Sequence, residues 1–256
     1  MKKAVILAAG VGSRMGDLTK RTPKCLIDLG GTASIDYILK CLQSCGIEES
    51  LIIVGYLADS VKKYVASKKY LMNVKFLYNE FYDYHGCEYS MALASDELKS
   101  ASSAAIVEAD LLMPLNYFKT IINSEKPNCV LLRSGEINPE RSVVATGKNG
   151  LVSHFSYDEA HADVFKYIKD ARDIIGESMQ VWKFGGEPLD FLINMFEDYR
   201  RNIKDGSDKR NGLYSINRTV SRYPLTPLII SGGGWINLNT ADDVEKGRNA
   251  AWVREF

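Results

Sequence analysis

The residues best suited to chemistry lie in a glycine-rich loop near the N-terminus. The loop has the sequence Leu7-Ala-Ala-Gly-Val-Gly-Ser-Arg-Met-Gly16 and directly follows a short apolar segment. Gly10 and Gly12 allow the backbone to approach a phosphate chain and to point its N–H groups toward it. Arg14 and the nearby Lys24 add the positive charge that a triphosphate requires. The loop therefore predicts a phosphate-binding site.

Other phosphate-binding loops differ from this one in their spacing. A Rossmann dinucleotide fingerprint requires its third glycine one position before Gly16 and an acidic residue about twenty residues later. A Walker A loop requires Gly-Lys-Ser/Thr after four intervening residues, and the sequence lacks it. An ordinary surface loop is the remaining alternative, but Arg14, Gly16, Pro23 and Lys24 rarely occur together in one.

Apolar runs and helical spacing predict the elements that hold this loop. Continuous apolar runs predict strands covered on both faces, and apolar residues at helical spacing predict helices between them. The predicted strands are 4–8, 51–55, 74–78, 104–107 and 129–132, and the predicted helices begin at Ser34, Asp59, Glu88 and Pro114. Repeated β-α-β units predict a Rossmann-like, mostly parallel α/β sheet, which binds ligands at the carboxyl ends of its strands.

The pattern changes between residues 134 and 176. Asn149-Gly150 between two alternating segments predicts a β-hairpin. A charged stretch at 156–177 follows, then a strand at 176–184, helices at 187–204 and 211–222, a strand at 228–230 and a final helix from Thr240. We therefore predict a single domain, 1–256, with a small inserted β-hairpin and helical lobe at 134–176.

Charge and cysteine content exclude some classes of protein. Lysine plus arginine and aspartate plus glutamate number 32 each, which argues against a nucleic-acid binder. An odd number of cysteines, five, without a C-x-x-C pair indicates reduced thiols. No segment has the length of a membrane span, so we expect a cytoplasmic protein without a membrane partner. The sequence leaves open whether the chain forms a homodimer.

The loop followed by Pro23-Lys24-x-Leu26 resembles the signature of the nucleotidyltransferase superfamily that activates sugars and alcohol phosphates. Length and later landmarks resemble its small CTP-using branch, the phosphocholine and phosphonate cytidylyltransferases of bacterial surface decoration. The resemblance implies that Arg14 and Lys24 are catalytic, Arg14 holding the nucleotide phosphates and Lys24 meeting the α-phosphate and the acceptor. The residues implied to bind the nucleotide are Leu7, Ala8, Ala9, Gly10, Gly12, Ser13, Tyr78, Ser90 and Glu108.

The same resemblance implies a magnesium site. Mg²⁺ prefers few carboxylates together with phosphate oxygens. Asp110, after the strand 104–107, stands where the family places its first metal aspartate, with Glu108 as support, although an acid there also caps turns. The second implied ligand is Asn239, where aspartate was expected; because it is neutral, the metal is expected to arrive with CTP. Asp242 is the alternative ligand, while Thr240 and Asp243 resemble a helix N-cap.

The acceptor site is implied less directly. The segment Tyr78–Met91 resembles the branch's aromatic loop before an Asn-x-x-Ser-Leu helix start, with Cys87 at the asparagine and Ser90 at the serine; loop packing is the alternative. The resemblance implies that Cys87 and Glu177 contact the acceptor. The acidic, tyrosine-containing stretch 156–177 would suit an ammonium group, and a solvated amphipathic helix is the other interpretation.

The resemblance implies a cytidylyltransferase that couples CTP to a small phosphorylated or phosphonate acceptor and releases pyrophosphate. The candidates are phosphocholine, 2-aminoethylphosphonate, glycerol or ethanolamine phosphate, and a phosphorylated amino-acid amide such as glutamine phosphate. Because Cys87 and Asn239 depart from the choline pattern, we predict a non-choline acceptor. Two alternatives remain: a sugar-1-phosphate nucleotidyltransferase that uses UTP or dTTP, and a non-catalytic nucleotide-binding regulatory module.

Overall fold

The computed structural model describes residues 1–83, 86–203 and 212–255. The strands are β1 (Lys2–Ala8), β2 (Glu49–Val54), β3 (Asn73–Tyr78), β4 (Ser103–Glu108), β5 (Leu111–Leu112), β6 (Cys129–Arg133), β7 (Val144–Lys148), β8 (Leu151–Ser156), β9 (Ile174–Gly185), β10 (Thr226–Ile230) and β11 (Ile236–Asn237). The helices are α1 (Ser34–Ser44), α2 (Ala58–Ala66), α3 (Cys87–Ala92), α4 (Ser95–Leu98), α5 (Leu115–Ile122), α6 (Glu187–Asn202), α7 (Tyr214–Arg222) and α8 (Ala241–Asn249).

The main sheet has the order β10-β6-β9-β4-β1-β2-β3. Its neighbouring strands pair in parallel except at β9, which is antiparallel to both β4 and β6. The predicted mostly parallel α/β sheet is therefore confirmed. The predicted hairpin is β7–β8, and it joins the same sheet because β7 pairs with β9. Its turn residues Asn149 and Gly150 have φ values of 54° and 76°, as a two-residue type I′ turn requires.

Helices cover both faces of the sheet, which explains why the strand sequences are continuously apolar. In β1, Val5 packs into the layer that contains Phe196 of α6, whereas Ile6 packs into the layer that contains Leu39 of α1. Burying each such side chain contributes about 1.5–3 kcal/mol. The two layers fix the position of β1 and therefore of the loop that follows it.

Two sequence predictions about helices are wrong. The helix predicted from Glu88 to Lys99 is two short helices, α3 and α4, because the Ala94 N–H donates to the Met91 carbonyl only three residues back and tightens the turn. The stretch 156–177 forms no amphipathic α-helix among the described residues. It contains two 3₁₀ turns instead, and in each the N–H of the second residue, Phe165 or Arg172, donates to the side chain of the preceding Asp163 or Asp170.

The C-terminal elements follow the sequence pattern. Helix α7 begins at Tyr214, while residues 204 and 211, the predicted limits of two helices, lie outside the described residues. Thr240 and Asp243 form a reciprocal capping box at the start of α8, as predicted. In the described part of the chain, every helix is too short or too polar to cross a membrane.

Candidate active site

One cavity of about 350 Å³ lies at the carboxyl ends of β1 and β4. This is the edge at which parallel sheets bind ligands, and the pairing of Leu7 with Glu108 brings the two strand ends together. The predicted site residues that line the cavity are Leu7, Ala8, Ala9, Gly10, Gly12, Arg14, Lys24, Cys87, Ser90, Glu108, Asp110 and Asn239. Segments separated by more than 200 residues in the sequence thus meet at one place.

Lys24, Asp110 and Asn239 form the centre of the cavity. The ammonium of Lys24 forms an ion pair with Asp110 and also donates to Asn239 Oδ1 at 3.0 Å. Asp110 follows β4 and Asn239 follows β11, and the Leu238 N–H holds the two segments together through a 3.0 Å hydrogen bond to the Asp110 carbonyl. Three side chains from distant segments therefore share one small volume.

The oxygen atoms around Lys24 fit a divalent cation. Asp110 and Asn239 direct a carboxylate and an amide oxygen at one positive group, and Mg²⁺ accepts such a set when phosphates complete its shell. No group of three His, Cys, Asp or Glu side chains is arranged to hold a metal in the described ranges. Asp242, the alternative ligand, is exposed on the first turn of α8 and does not line the cavity. Asp110 and Asn239 are therefore the side chains that would hold Mg²⁺, together with ligand oxygens.

The glycine-rich loop is held in shape by its own hydrogen bonds. Gly12 has φ 70°, and a Cβ there would lie 3.2 Å from Thr19 Cγ2 and 3.3 Å from Lys24 Cβ. The Thr19 hydroxyl donates to the Gly12 carbonyl at 3.0 Å. By contrast, a Cβ on Gly10 would have no neighbour within 4 Å, so the space beside Gly10 is open for a ligand.

Two arginines reach the cavity without counter-ions. Arg14 comes from the glycine-rich loop, and Arg141 comes from the loop before β7. Neither guanidinium has an ion-pair partner among the described residues. Arg141 was not predicted from the sequence, since it lies in an irregular loop with no motif around it. Both groups are available to anionic ligands.

Glu108 is a carboxyl group in an unusual environment. It lies at the end of β4, two residues before Asp110. Burial and the neighbouring Asp110 carboxylate raise its pKa to about 8, against the opposing effect of Lys24 and Arg14. In the absence of ligands, Glu108 therefore carries a proton over much of the neutral range.

One wall of the cavity is built by Asn79, Ser90 and Tyr82. The buried Asn79 donates to Ser90 Oγ at 2.9 Å, and its Oδ1 accepts from the Phe81 N–H at 2.8 Å. Tyr82 lies so close to Gly55 that a Cβ on Gly55 would be 2.5 Å from the Tyr82 Cβ. Asn79 was not among the predicted site residues, although it is a polar residue directly after the predicted strand 74–78.

The opposite wall contains a bulge in β9. Val130 of β6 pairs with Trp182, but Leu132 pairs with Ser178, so β9 has extra residues between these points. Gln180, in the bulge, has φ 58° and turns into the cavity wall, where its Oε1 accepts from Asn237 Nδ2 at 3.2 Å. Glutamine carries no sequence signal for a positive φ, so the sequence did not predict this wall.

Tyr157 lines the cavity from a loop that Asp158 organises. The buried Asp158 carboxylate accepts hydrogen bonds from the N–H groups of Ala160, Ala162 and Asp163 at 2.8–3.1 Å, and from Lys166 at 2.9 Å. These donors hold the pKa of Asp158 far below its usual range. The loop places His161 Nδ1 3.2 Å from the Tyr157 hydroxyl.

Three predicted site residues do not line the cavity. Ser13 is exposed, and Tyr78 is 54% exposed with the Lys62 ammonium 5.8 Å from its ring centre. Glu177 is buried, forms an ion pair with Arg133 and accepts from the Ser142 hydroxyl at 2.5 Å. Glu177 is thus engaged by neighbours outside the cavity.

The protein-family model described as "Domain of unknown function (DUF6564)" matches residues 22–251. The CTP:phosphoglutamine cytidylyltransferase of Campylobacter jejuni is 26% identical over 94% of this chain and 97% of that protein. The choline-phosphate cytidylyltransferase of Haemophilus influenzae is 35% identical, but the match spans only 46% of this chain and 47% of that protein.

Solved structures confirm the predicted fold. The CTP:phosphocholine cytidylyltransferase of Streptococcus pneumoniae has a TM-score of 0.73 at 19% identity, covering 97% of this chain and 98% of that one. The names of these relatives also confirm the resemblance to the CTP-using branch of the nucleotidyltransferases.

Proposed function

The chain belongs to the family described as domain of unknown function DUF6564, and we propose that this nucleotidyltransferase transfers CMP from CTP to a small phosphorylated acceptor and releases pyrophosphate. The observation that carries the proposal is the convergence of Lys24, Asp110 and Asn239 beside a glycine-rich loop at the carboxyl edge of the sheet. These groups suit a reaction in which two anions are brought together.

In the proposed reaction, an oxygen of the acceptor phosphate attacks the α-phosphorus of CTP. The new bond joins that oxygen to phosphorus, and the bond from the α-phosphorus to the bridging oxygen breaks as pyrophosphate leaves. The attacking phosphate is already ionised at neutral pH, so the protein need not remove a proton from it. The contribution of the enzyme is to position both phosphates and to stabilise negative charge.

Arg14 and the backbone N–H groups around Gly10 and Gly12 would hold the β- and γ-phosphates. Lys24 would place its ammonium at the α-phosphate, between CTP and the acceptor. Mg²⁺ held by Asp110 and Asn239 would neutralise charge on the phosphate oxygens. Because Lys24 is paired with Asp110 in the structure described above, it exchanges this partner for a phosphate when CTP binds.

Support for the substrates comes from the relatives. The relative that matches across nearly the full length of both chains is named for CTP and phosphoglutamine. The match to a choline-phosphate enzyme covers less than half of each chain, and an aminoethylphosphonate enzyme of Lancefieldella rimae matches over 22% of this chain. We therefore expect CTP as the nucleotide and an acceptor other than phosphocholine.

The experiment is a pyrophosphate-release assay with Mg²⁺ and each of CTP, UTP, ATP and GTP. The acceptors are phosphocholine, phosphoethanolamine, glycerol phosphate, 2-aminoethylphosphonate and L-glutamine phosphate. Release with CTP that is lost in Asp110→Asn is the expected result. A further arm of the assay contains UTP or dTTP with glucose 1-phosphate, and release there alone would instead establish the sugar nucleotidyltransferase alternative.

Thermal unfolding separates an untested acceptor from a non-catalytic protein. A ligand raises the stability of the folded state only if it binds that state. Stabilisation by CTP but not by UTP, without turnover, would keep the nucleotide part of the proposal and indicate another acceptor. Failure of every nucleotide to stabilise the protein would contradict the proposal.

A further inference from the structure

The wall of the cavity beyond Asn239 carries a cation and two amides. The side chains of Asn237 and Gln180 come first, joined by their 3.2 Å hydrogen bond. Arg141 also lines the cavity, and the Ser178 N–H donates to the Val143 carbonyl at 2.7 Å, which fixes the end of the Arg141 loop to β9. We call the side chains of Asn237, Gln180 and Arg141 the distal wall of the cavity.

The distal wall contains no negative charge. Among the described residues that line the cavity, the only carboxylates are Glu108 and Asp110, and Asp110 is paired with Lys24. None of the acids in the stretch 156–177 lines the cavity, and three of them have partners elsewhere: Asp158 binds its own loop, Asp170 binds Arg172 and Glu177 binds Arg133. A cationic acceptor would therefore meet the unpaired Arg141 without a carboxylate to balance it.

An unpaired arginine at a ligand cavity suits a carboxylate. The planar guanidinium donates two parallel hydrogen bonds to the two carboxylate oxygens, which gives direction as well as affinity. In the proposed function the triphosphate is bound by Arg14, Lys24 and the glycine-rich loop, so it does not require Arg141. Arg141 enters the same cavity from a different element, the loop before β7, and Gln180 and Asn237 line that cavity too.

Asn237 supplies a second and independent indication. Its Oδ1 atom is buried and has no hydrogen-bond partner in the described part of the chain, although its Nδ2 is bound to Gln180. A buried acceptor without a donor is unfavourable by about 1–3 kcal/mol. A ligand that donates an N–H group there would remove that cost. The wall thus offers a site for an anion and, next to it, an acceptor for an N–H donor.

We infer that the acceptor is a phosphorylated amino acid, whose carboxylate is bound by Arg141 and whose neighbouring N–H group is bound by Asn237. The inference rests on the proposed function, because it names the class of acceptor for the same site. In this role Arg141 determines specificity and takes no part in the transfer of CMP. Its loss changes which acceptor binds and leaves the binding of CTP unchanged.

The test uses two probes that differ only in the carboxylate, O-phospho-L-serine and phosphoethanolamine. Their affinities are measured by calorimetry on the full chain with Mg²⁺ and a non-hydrolysable CTP analogue. The wild type is expected to bind phosphoserine roughly tenfold or more tightly than phosphoethanolamine, the range for a charge-assisted hydrogen bond. In Arg141→Gln the two affinities should become equal through a loss for phosphoserine alone. Arg141→Lys should retain part of the preference.

Arg172→Gln is the matched control, because Arg172 is an exposed arginine after β8 that pairs with Asp170 and does not line the cavity. Equal affinities in the wild type, no measurable binding of phosphoserine, or a preference that survives Arg141→Gln would each overturn the inference. An equal loss for both probes in Arg141→Gln would assign Arg141 to the phosphate and overturn it too. Failure of the CTP analogue to bind, measured in the same series, would instead contradict the proposed function.

Discussion

Lys24 and Asp110, 86 residues apart in the sequence, form an ion pair in the middle of the cavity. The same ammonium donates to Asn239 Oδ1, so a protein cation lies between the two side chains proposed to hold Mg²⁺. The negative charge of Asp110 is neutralised by the ammonium of Lys24, and the Asn239 amide carries no charge. The three groups are therefore electrically balanced without a metal. A metal ion must therefore compete with Lys24 until a triphosphate draws the ammonium away.

The first prediction concerns Asn239→Asp. A second carboxylate adds a negative charge that Lys24 alone does not balance, so the nucleotide-free protein should bind Mn²⁺ roughly tenfold more tightly than the wild type. Electron paramagnetic resonance of free Mn²⁺ during a titration measures this. Asp242→Asn, at the exposed start of α8, is the control and should leave the affinity unchanged. Equal Mn²⁺ affinity in Asn239→Asp and the wild type would show that Asn239 does not face the metal.

Alanine substitutions at Gly10 and Gly55 should distinguish an effect on ligand binding from an effect on packing. A methyl group on Gly10 has no protein neighbour within 4 Å, whereas one on Gly55 would lie 2.5 Å from Tyr82 Cβ and 2.8 Å from the Ala9 carbonyl oxygen. Gly10→Ala should therefore keep the wild-type Tm and raise the KM for CTP by roughly tenfold, because the methyl group occupies the phosphate path. Gly55→Ala should lower the stability by about 1–3 kcal/mol.

Thermal unfolding and steady-state kinetics on the two variants decide this prediction. Gly233→Ala serves as a neutral control, since a Cβ there also has no neighbour within 4 Å and Gly233 lies outside the cavity. If Gly10→Ala unfolds as early as Gly55→Ala, the open space beside Gly10 is not a ligand path but part of the packing of the loop.

The raised pKa of Glu108 predicts that the stability of the ligand-free protein depends on pH. Its pKa of about 8 lies above the value near 4.3 of a glutamate in an unfolded chain, so the folded protein holds this proton more tightly. The resulting stability is complete at pH values below about 4 and is lost as the pH rises through about 8. Between about pH 5 and 8, the ligand-free wild type should lose on the order of 3–4 kcal/mol that Glu108→Gln retains, at about 1.4 kcal/mol per pH unit.

Urea unfolding without CTP or Mg²⁺, at several pH values, measures this difference. The exposed Glu125→Gln is the control and should follow the wild type throughout. Parallel stability curves for Glu108→Gln and the wild type would mean that the folded carboxyl group titrates like an unfolded one.

Removal of the Asp158 side chain should weaken acceptor binding selectively. Asp158→Ala removes the partner of three N–H groups and of Lys166, so the loop that carries Tyr157 should loosen. The KM for the acceptor should rise roughly tenfold while the KM for CTP stays within about twofold. New protease cleavage sites between residues 158 and 167 should appear in the variant.

The contribution of Asp158 to the stability of the folded protein also depends on pH. Its pKa is lowered in the folded protein, so its stabilising effect is present above the unfolded value of about 3.9 and is lost as the pH falls. Asp158→Ala and the wild type should therefore differ at neutral pH and converge in acid. Asp170→Ala, which removes only exposed contacts with Arg172, is the control and should leave both KM values unchanged.

The sequence predicted the parts of the site that local chemistry determines. The glycines and cations after the apolar run of β1 form a recognisable phosphate-binding pattern, so Gly12 and Lys24 were found from the residues themselves, whereas Asp110 was implied by the family resemblance. Asn239 was found because a motif surrounds it. Gly12, Asp110 and Asn239 lie shortly after β1, β4 and β11, and the carboxyl ends of β1 and β4 form the ligand edge of the sheet.

The distal wall could not be predicted in the same way. Its bulge depends on how β9 pairs with β6, and the positive φ of Gln180 is imposed by that pairing and not by the residue type. Glu177 shows the same limit, because pairing alone decides that it faces Arg133 and Ser142. Arg141 lies in an irregular loop, for which sequence patterns give no position in space.

The antiparallel β9 has an evolutionary consequence. The glycine-rich loop proposed to bind the nucleotide follows β1, whereas the distal wall depends on β9 and on the loop before β7. Side chains alternate along a strand, so inserting or deleting one residue in the bulge would present a different set of groups to the cavity. The nucleotide loop would be unaffected by such a change. Descendants of one ancestral enzyme can thus acquire new acceptors by small length changes in a single strand, while the machinery for activating the nucleotide is inherited intact.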